Sequence, residues 1–368
     1  MADPWRLIVD RNSYADFSVS VSPAVEKAVM EGASPPTVYL TVFDSDSVTV
    51  GVNEDPEQVL DLAFCRAKGI RFLRRVSGGG AVYAGAGSAF LVLFLRTDDA
   101  RVPATAREAF PFILGKLADV FRERYGFPAV YRPLNDVEVD GRKLVPCSLK
   151  IESGIAVFRI VINVKPIDTG LAGRALPMPP EKVQDKALKD LASRYTWLER
   201  EAGRAVDAAE LEALSRQFVT HAFGDQKLSV AALTATERAD ATMFRRRYDC
   251  DDWLYGKSRR TRLDGFLRPG DTVGTGRTKA MGGMIWATLA LRDGAVLRAI
   301  VNGDWHPRPI DSVGWLEDGL AGAAAEPAAL RARIASFLAR PEVEFAGVTL
   351  DDLATALDKA LTAQAVVG

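Results

Sequence analysis

The sequence has few of the residues from which metal sites and disulfides are built. In 368 residues there are three cysteines, Cys65, Cys147 and Cys250, and two histidines, His221 and His306. No two cysteines have the C-x-x-C spacing, so a zinc site built from Cys and His is not expected. Three widely spaced cysteines fit a reducing compartment better than a disulfide scaffold.

Long apolar runs and a strong net charge are also absent. No stretch approaches the length that spans a bilayer, and the first ten residues, MADPWRLIVD, lack the apolar centre of a signal peptide. The formal net charge is -1 at pH 7, so no global basic field attracts nucleic acid. We therefore expect a cytoplasmic protein that binds neither membranes nor nucleic acid.

The apolar pattern predicts a mixed α/β (α+β) protein. The chain is 48% hydrophobic and 26% charged, which is enough for about two domains with cores of their own. We place the boundary near residues 226–240, which gives domains 1–230 and 231–368. The sequence shows no internal repeat.

In the first domain, strand and helix patterns alternate. The patterns predict two strands around a turn in 37–52, single strands at 70–76, 88–96 and 154–164, and helices at 55–68, 105–125 and 208–223. Residues 135–145 predict a hairpin, because Asp140-Gly141 supplies the positive φ angles of a tight turn. Residues 166–184 are rich in Pro and Gly and predict an irregular loop that could close over a site.

The second domain begins with a predicted helix at 234–248. A strand pair is predicted at 284–302 with a turn at Asp293-Gly294, followed by helices at 313–323, 327–338 and 350–363. Thr349 and Asp352 have the spacing of a capping box at the start of the last helix.

The most specific segment is R-R-V-S-G-G-G-A-V-Y, residues 74–83. Three glycines after a predicted strand let backbone N–H groups approach an anion, and the two preceding arginines suit phosphate or carboxylate. Taken alone, the glycine triplet is equally consistent with a flexible turn. Its spacing is neither that of a P-loop nor that of a Rossmann fingerprint.

The segment resembles the R-R-x-S-G-G-G-A-V-Y/F signature of the lipoate–protein ligase A family. Two further stretches extend the resemblance over most of the chain: N-D and G-R-K within 135–143, and D-W-L-Y-G-K-S at 252–258 with G-D-W at 303–305. The resemblance implies a mixed-sheet catalytic domain like that of biotin and lipoate ligases, followed by a smaller α/β accessory domain. Biotin is the less favoured substrate, because the G-R-G-R-x-G-R loop of biotin ligases is absent.

The resemblance also implies roles for individual residues. Lys143 is the implied catalytic residue, since an ammonium group between a carboxylate and a phosphate stabilises the charge of the transition state. Asp136 is a candidate Mg2+ ligand, with an ordinary turn residue as the alternative. The implied ligand-binding residues are Arg74, Arg75, Ser77, Gly78, Gly79, Gly80, Ala81, Val82, Tyr83, Asn135, Asp136 and Lys143.

The function implied by the resemblance is that of an ATP-dependent lipoate–protein ligase. Such an enzyme uses ATP and Mg2+ to convert lipoate into lipoyl-AMP and transfers the lipoyl group to a lysine of a lipoyl carrier domain. Two alternatives remain open. One is an ATP-independent octanoyl or lipoyl transferase with Cys147 as nucleophile, activated by Lys143 or Lys150; the other is a non-catalytic lipoyl-binding homologue.

Some positions depart from the family pattern. These are Ala84-Gly85 in place of His-Asp, Gly87-Ser88 in place of Gly-Asn, V-P-C-S at 145–148 in place of roughly S-G-S-A, and Ser153-Gly154 in place of His-Gly. The resemblance therefore defines the acyl-tail pocket and the acceptor geometry less well than it defines the nucleotide site.

Overall fold

The computed structural model describes residues 5–177 and 194–367, and its first part is built on an eight-stranded mixed sheet. Strands β1 and β11 and strands β1 and β2 pair in parallel, and all other neighbours are antiparallel. The order across the sheet is β11-β1-β2-β6-β10-β9-β8-β7. The strands are β1 Trp5–Asn12, β2 Thr37–Phe43, β6 Ala89–Arg96, β7 Ala129–Arg132, β8 Asp136–Val139, β9 Arg142–Glu152, β10 Ile155–Ile162 and β11 Leu228–Val230.

Helices cover both faces of this sheet, as the apolar run of β6 predicts. Leu91 and Leu93 of β6 point to a core shared with helices Ala106–Tyr125 and Ala208–Phe223. Phe90 and its neighbours on the opposite face pack against a helical stretch made of Tyr14–Asp16, the π-helical turn Phe17–Val21, and Ser22–Met30. The fold class and the helices predicted at 105–125 and 208–223 are confirmed.

A separate three-stranded sheet carries the glycine-rich segment. Its strands are β3 Ser47–Val50, β4 Arg71–Arg74 and β5 Val82–Ala84, with β3 in the centre. The two strands predicted within 37–52 exist, but they belong to different sheets. The glycine triplet lies in the loop between β4 and β5, which sets it at the end of a strand as predicted.

Two predictions for local structure need correction. The single helix predicted at 55–68 is two short helices, Pro56–Val59 and Leu62–Ala67, because Leu60 adopts an extended conformation and is buried. The segment 166–184 is not wholly irregular, since Asp168 caps a helix at Thr169–Ala175. Residues 178–184 of that segment lie outside the described residues.

The second part of the chain is built on an antiparallel sheet whose core helices pack on one face. Its strands are β12 Thr272–Ala280, β13 Gly283–Arg292, β14 Ala295–Gly303 and β17 Ala365–Val366, and a small pair is formed by β15 Pro307–Arg308 and β16 Glu344–Phe345. Its core helices are Ser312–Leu320, Pro327–Leu338 and Leu350–Thr362. The predicted capping box of Thr349 and Asp352 is present.

Three helices connect the two parts: Ala235–Tyr248, Asp251–Tyr255 and Arg259–Leu263. The first packs against Phe17–Val21 and Ser22–Met30. The buried carboxylate of Glu237 receives two guanidinium hydrogen bonds from Arg6, at 2.6 and 2.8 Å. We keep 1–230 and 231–368 as the proposed domains. Among the described residues, none of the helices is long and apolar enough to cross a membrane.

Candidate active site

The predicted hairpin is formed by β8 and β9 and positions Lys143. Asp140 and Gly141 occupy the turn with φ angles of 49° and 75°. Lys143 is the second residue of β9, and its backbone carbonyl accepts a hydrogen bond from the Thr196 N–H at 3.0 Å. The Lys143 ammonium pairs with an Asp136 carboxylate oxygen on β8 at 2.7 Å. Burial raises the pKa of Asp136, and the attraction of Lys143 opposes that rise.

Lys143 lies on the wall of a cavity of about 680 Å³. A volume of this size is typical of small-molecule sites. The wall is largely apolar and aromatic, with ammonium groups from Lys143 and Lys165 and a carboxyl from Glu54. The other lining residues are Val59, Gly80, Ala81, Val82, Tyr83, Pro146, Val161, Asn163, Pro166, Ile167, Thr169, Ala172, Gly173, Leu176, Pro177, Tyr195, Thr196, Trp197 and Trp286.

The cavity brings together five of the residues predicted from the sequence. Gly80, Ala81, Val82, Tyr83 and Lys143 all line it. The other predicted residues are not among the lining residues: Arg74, Arg75, Ser77, Gly78, Gly79, Asn135 and Asp136. Part of the predicted loop, from Pro166 to Pro177, contributes to the wall, and its closing over the site stays a prediction.

Arg74 and Arg75 both donate hydrogen bonds to backbone carbonyls. Arg74 is 1% exposed, and its guanidinium donates to five backbone carbonyls, those of Gly51, Val52, Glu54, Trp253 and Leu254.

The Arg75 guanidinium donates to the carbonyls of Gly78 and Gly80 at 2.7 and 2.9 Å, and to Thr49. In this arrangement Arg75 organises the glycine loop and Arg74 the turn at residues 51–54. Direct contact of either with a ligand stays a prediction.

The back of the glycine loop rests on the second part of the chain. The Gly79 N–H donates to the carbonyl of Trp305 at 3.2 Å, and the Gly303 N–H donates to the carbonyl of Asn53 at 3.0 Å. Gly79 has a φ of +88°, and a Cβ atom there would lie 3.0 Å from the His306 ring. Glycine is therefore favoured at this position by its conformation, and a Cβ would also require the His306 ring to shift.

Ser77 and Asn135 each form a hydrogen bond with the backbone of another residue. The Ser77 carbonyl accepts the N–H of Val52 at 3.0 Å. The Asn135 amide donates to the carbonyl of Cys147 at 2.7 Å, which ties the start of the hairpin to β9. Their predicted contacts with a ligand remain predictions.

Glu54 is a wall residue that the sequence analysis missed. Its side chain is buried, and a carboxylate oxygen accepts the Gly51 N–H at 2.7 Å. Burial raises the pKa of Glu54 to about 7, with Asp304 adding to the rise and Arg75 opposing it. Lys165, Asn163, Trp197 and Trp286 were also missed. None of these residues stands in a local motif that could have revealed it.

The raised pKa of Glu54 predicts a pH-dependent stability. The folded carboxyl binds its proton more tightly than the unfolded one, so this group's contribution is complete below pH 4.5 and is lost as the pH rises to about 7. Glu54→Gln keeps the neutral shape at every pH. We expect the variant to be more stable than the native chain at pH 8 by on the order of 1–3 kcal/mol, and nearly equal at pH 4.5. Urea unfolding across that range measures the difference, and a difference independent of pH would contradict the assignment.

No cysteine lies on the cavity wall. All three cysteines of the sequence are among the described residues, and none lines the cavity. Cys147 is 3% exposed, and burial, together with the nearby Asp136, raises the pKa of its thiol strongly. A neutral buried thiol is a poor nucleophile.

The described residues contain no cluster of three or more His, Cys, Asp or Glu side chains able to hold a metal ion. Asp136 offers one carboxylate, and one of its oxygens is buried with no hydrogen-bond partner among the described residues. A magnesium ion held here would need most of its ligands from phosphate and water, which is usual for Mg2+ bound with a nucleotide.

Comparisons with known proteins identify the family of the chain. Residues 18–219, more than half of the chain, match the model of the lipoyl protein ligase A/B catalytic domain. Octanoyltransferase LipM of Kyrpidia tusciae is 26% identical over 285 residues, covering 69% of this chain and 99% of that protein. Lipoate-protein ligase LplJ of Bacillus subtilis is 24% identical over 264 residues, covering 70% of this chain and 76% of that protein.

A solved structure shares the fold of nearly the whole chain. The crystal structure of P. falciparum LipL1 in complex with lipoate aligns with a TM-score of 0.72 and 15% identity, covering 95% of this chain and 98% of that one. The similarity therefore includes the second part of the chain as well as the first. It confirms the expected arrangement of a catalytic domain with an additional domain.

Proposed function

The chain belongs to the lipoyl protein ligase A/B catalytic-domain family, and on that premise we propose that it is an ATP-dependent lipoate–protein ligase. The carboxylate of lipoate attacks the α-phosphorus of ATP and releases pyrophosphate. A lysine amine of a lipoyl carrier domain then attacks the acyl-adenylate, which forms an amide and releases AMP.

The position of Lys143 carries this proposal. Its ammonium lies on the cavity wall that also includes Gly80–Tyr83, and Asp136 holds it at 2.7 Å from a carboxylate oxygen. Joining a carboxylate to a nucleotide phosphate brings two anions together. A fixed ammonium at that point reduces their repulsion and stabilises the charge that develops. Lys165 supplies a second positive charge on the same wall.

The residues present fit an acyl-adenylate. Its phosphate would be held by Lys143 and Lys165, while Arg75 shapes the glycine loop through the carbonyls of Gly78 and Gly80. Asp136 would provide the one protein carboxylate for Mg2+, and the bound ion would neutralise phosphate charge. The apolar wall excludes water, which limits hydrolysis of the mixed anhydride.

A transferase is the second candidate, and the similarity to octanoyltransferase LipM favours it. A transferase that uses Cys147 as its nucleophile needs a reactive thiolate at the cavity. The burial of Cys147 and its absence from the wall support the ligase instead.

The direct test of the ligase is lipoate-dependent ATP–pyrophosphate exchange by the full chain, run with octanoate in parallel. We expect exchange with at least one of the two acids and AMP release when a lipoyl domain is added. Binding of lipoate with no exchange and no AMP, whatever the acceptor, would instead identify a non-catalytic homologue.

Cys147→Ser separates the ligase from the transferase. If the thiol is structural, acyl transfer should stay within about twofold of the native rate, while the buried hydroxyl lowers the free energy of unfolding by about 1–3 kcal/mol. Cys147→Ala is the matched control without a hydroxyl. Transfer of octanoyl from a carrier thioester without ATP, abolished by Cys147→Ser in a folded protein, would reject the ligase.

A further inference from the structure

Trp286 reaches the cavity from the second part of the chain. Among the described residues, it is the one wall residue that comes from beyond residue 230. The wall is therefore incomplete without the accessory sheet, although the family match ends at residue 219.

Strand alternation places Trp286 outside the accessory core. Ile285, Ala287 and Leu289 of β13 point into that core. Trp286 points to the opposite face of the strand. It is only partly buried and belongs to none of the apolar clusters formed by the described residues. Packing of the accessory core therefore does not account for a side chain of this size.

Hydrogen bonds hold this face against the catalytic part beside Glu54. Trp286 pairs across the sheet with Asn302. The Asn302 amide donates to the carbonyl of Asn53 at 3.2 Å and to that of Lys257 at 3.0 Å. Because Asn53 immediately precedes Glu54, Trp286 enters the cavity on the side of Glu54.

The charges of the wall give the cavity a direction. Lys143 lies at the start of β9, and Lys165 follows the end of the neighbouring antiparallel strand β10. Both positive charges of the wall are therefore located at the same end of this strand pair. Glu54 is a buried carboxyl elsewhere on the wall, and it offers a phosphate no positive charge. The anionic part of a ligand is therefore favoured near the lysines, and a neutral tail near Glu54.

Apolar packing continues from the side of Glu54. Val59, Ala81, Tyr83 and Leu176 line the cavity and also pack against one apolar cluster around β3. Together with Trp286 they form an apolar and aromatic part of the wall. Aromatic rings make favourable contacts with divalent sulfur, so such a region suits a compact sulfur-containing ring.

We propose that Trp286 is a specificity-determining residue that closes the acyl-tail end of the cavity. It favours an acid that ends in a dithiolane ring and limits the length of an unbranched chain. This inference rests on the proposed function for the identity of the acid, and it assigns a role to the accessory domain in choosing it.

Calorimetric binding of lipoate, dodecanoate and AMP to the full chain tests the proposal. In Trp286→Ala we expect lipoate to bind about 2- to 12-fold more weakly, which corresponds to the loss of one sulfur–aromatic contact. Dodecanoate should bind at least about threefold more tightly, because one buried CH₂ group gained already corresponds to about that factor. AMP affinity should not change.

Two variants serve as references. Trp286→Phe keeps an aromatic ring and should retain the preference for lipoate, whereas Met281→Ala changes a side chain that is 92% exposed and should match the native protein. An unchanged ranking of acids in Trp286→Ala, or a loss of AMP affinity instead, would overturn the proposal. A native chain that binds lipoate but catalyses no exchange contradicts the ligase while leaving this inference standing; a chain that binds neither acid contradicts both.

Discussion

Lys143→Ala is expected to lower lipoate-dependent ATP–pyrophosphate exchange by about 10²–10³-fold, the usual effect of removing one preorganised group that stabilises transition-state charge. The side chain is 31% exposed and its carbonyl, not its ammonium, fixes the backbone to Thr196. The substitution should therefore leave the fold intact. The loss should appear mainly in kcat, since the ammonium acts where the two reacting anions meet.

Lys150→Ala is the matched control for this prediction. Lys150 lies on the same strand, β9, is 36% exposed and pairs with Glu26 at 2.7 Å, but it is not part of the cavity wall. Exchange by this variant should stay close to that of the native chain. Equal activity of Lys143→Ala and Lys150→Ala would remove Lys143 from the reaction.

Arg74→Met is expected to reduce the free energy of unfolding by about 3–5 kcal/mol, the range found when one partner of a buried charged network is removed. The Arg74 guanidinium satisfies five carbonyls, three between residues 51 and 54 and two at Trp253 and Leu254. Methionine fills much of the volume but donates no hydrogen bond. Arg74→Lys should recover only a part, because an ammonium cannot reproduce a planar array of five N–H donors.

Arg71→Ala provides the comparison within the same strand. Arg71 is 36% exposed and pairs with Asp16 and Asp249 at the surface. Its removal should cost about 0–1 kcal/mol. Urea unfolding of both variants tests the contrast, and a cost for Arg74→Met as small as that for Arg71→Ala would show that water replaces its hydrogen bonds.

The sequence predicts best where neighbouring residues determine the structure. Asp140 and Gly141 define their turn by conformation alone, and the hairpin forms with Lys143 on it. The helix Ala208–Phe223 begins after Asp207 and ends at Gly224, so its signals are local as well. Helix 55–68 was predicted wrongly because the extended form of Leu60 follows from tertiary burial rather than from local pattern.

The roles within the site depend on contacts that are distant in sequence. Arginine is a residue type that often binds anions, yet the Arg74 guanidinium is surrounded by carbonyls from residues 20 to 180 positions away. Glu54 and Trp286 join one cavity only because the accessory sheet is docked on the turn that contains Asn53. No property of a short segment indicates that these two side chains line the same cavity.

The pairing of β1 with β11 has a consequence for how the chain is made. β1 is synthesised before the other strands of the main sheet, but among the described residues its outer edge at Trp5 and Leu7 is paired by Leu228 and Val230. Until then, that edge is open to strands of other nascent chains. The ion pair of Arg6 forms later still in synthesis, because its partner Glu237 lies 231 positions further along the chain. A fragment that ends at residue 230 would contain every strand of the main sheet. It would still lack Glu237, the counter-ion of the buried Arg6, so its folded sheet would be less stable than that of the full chain.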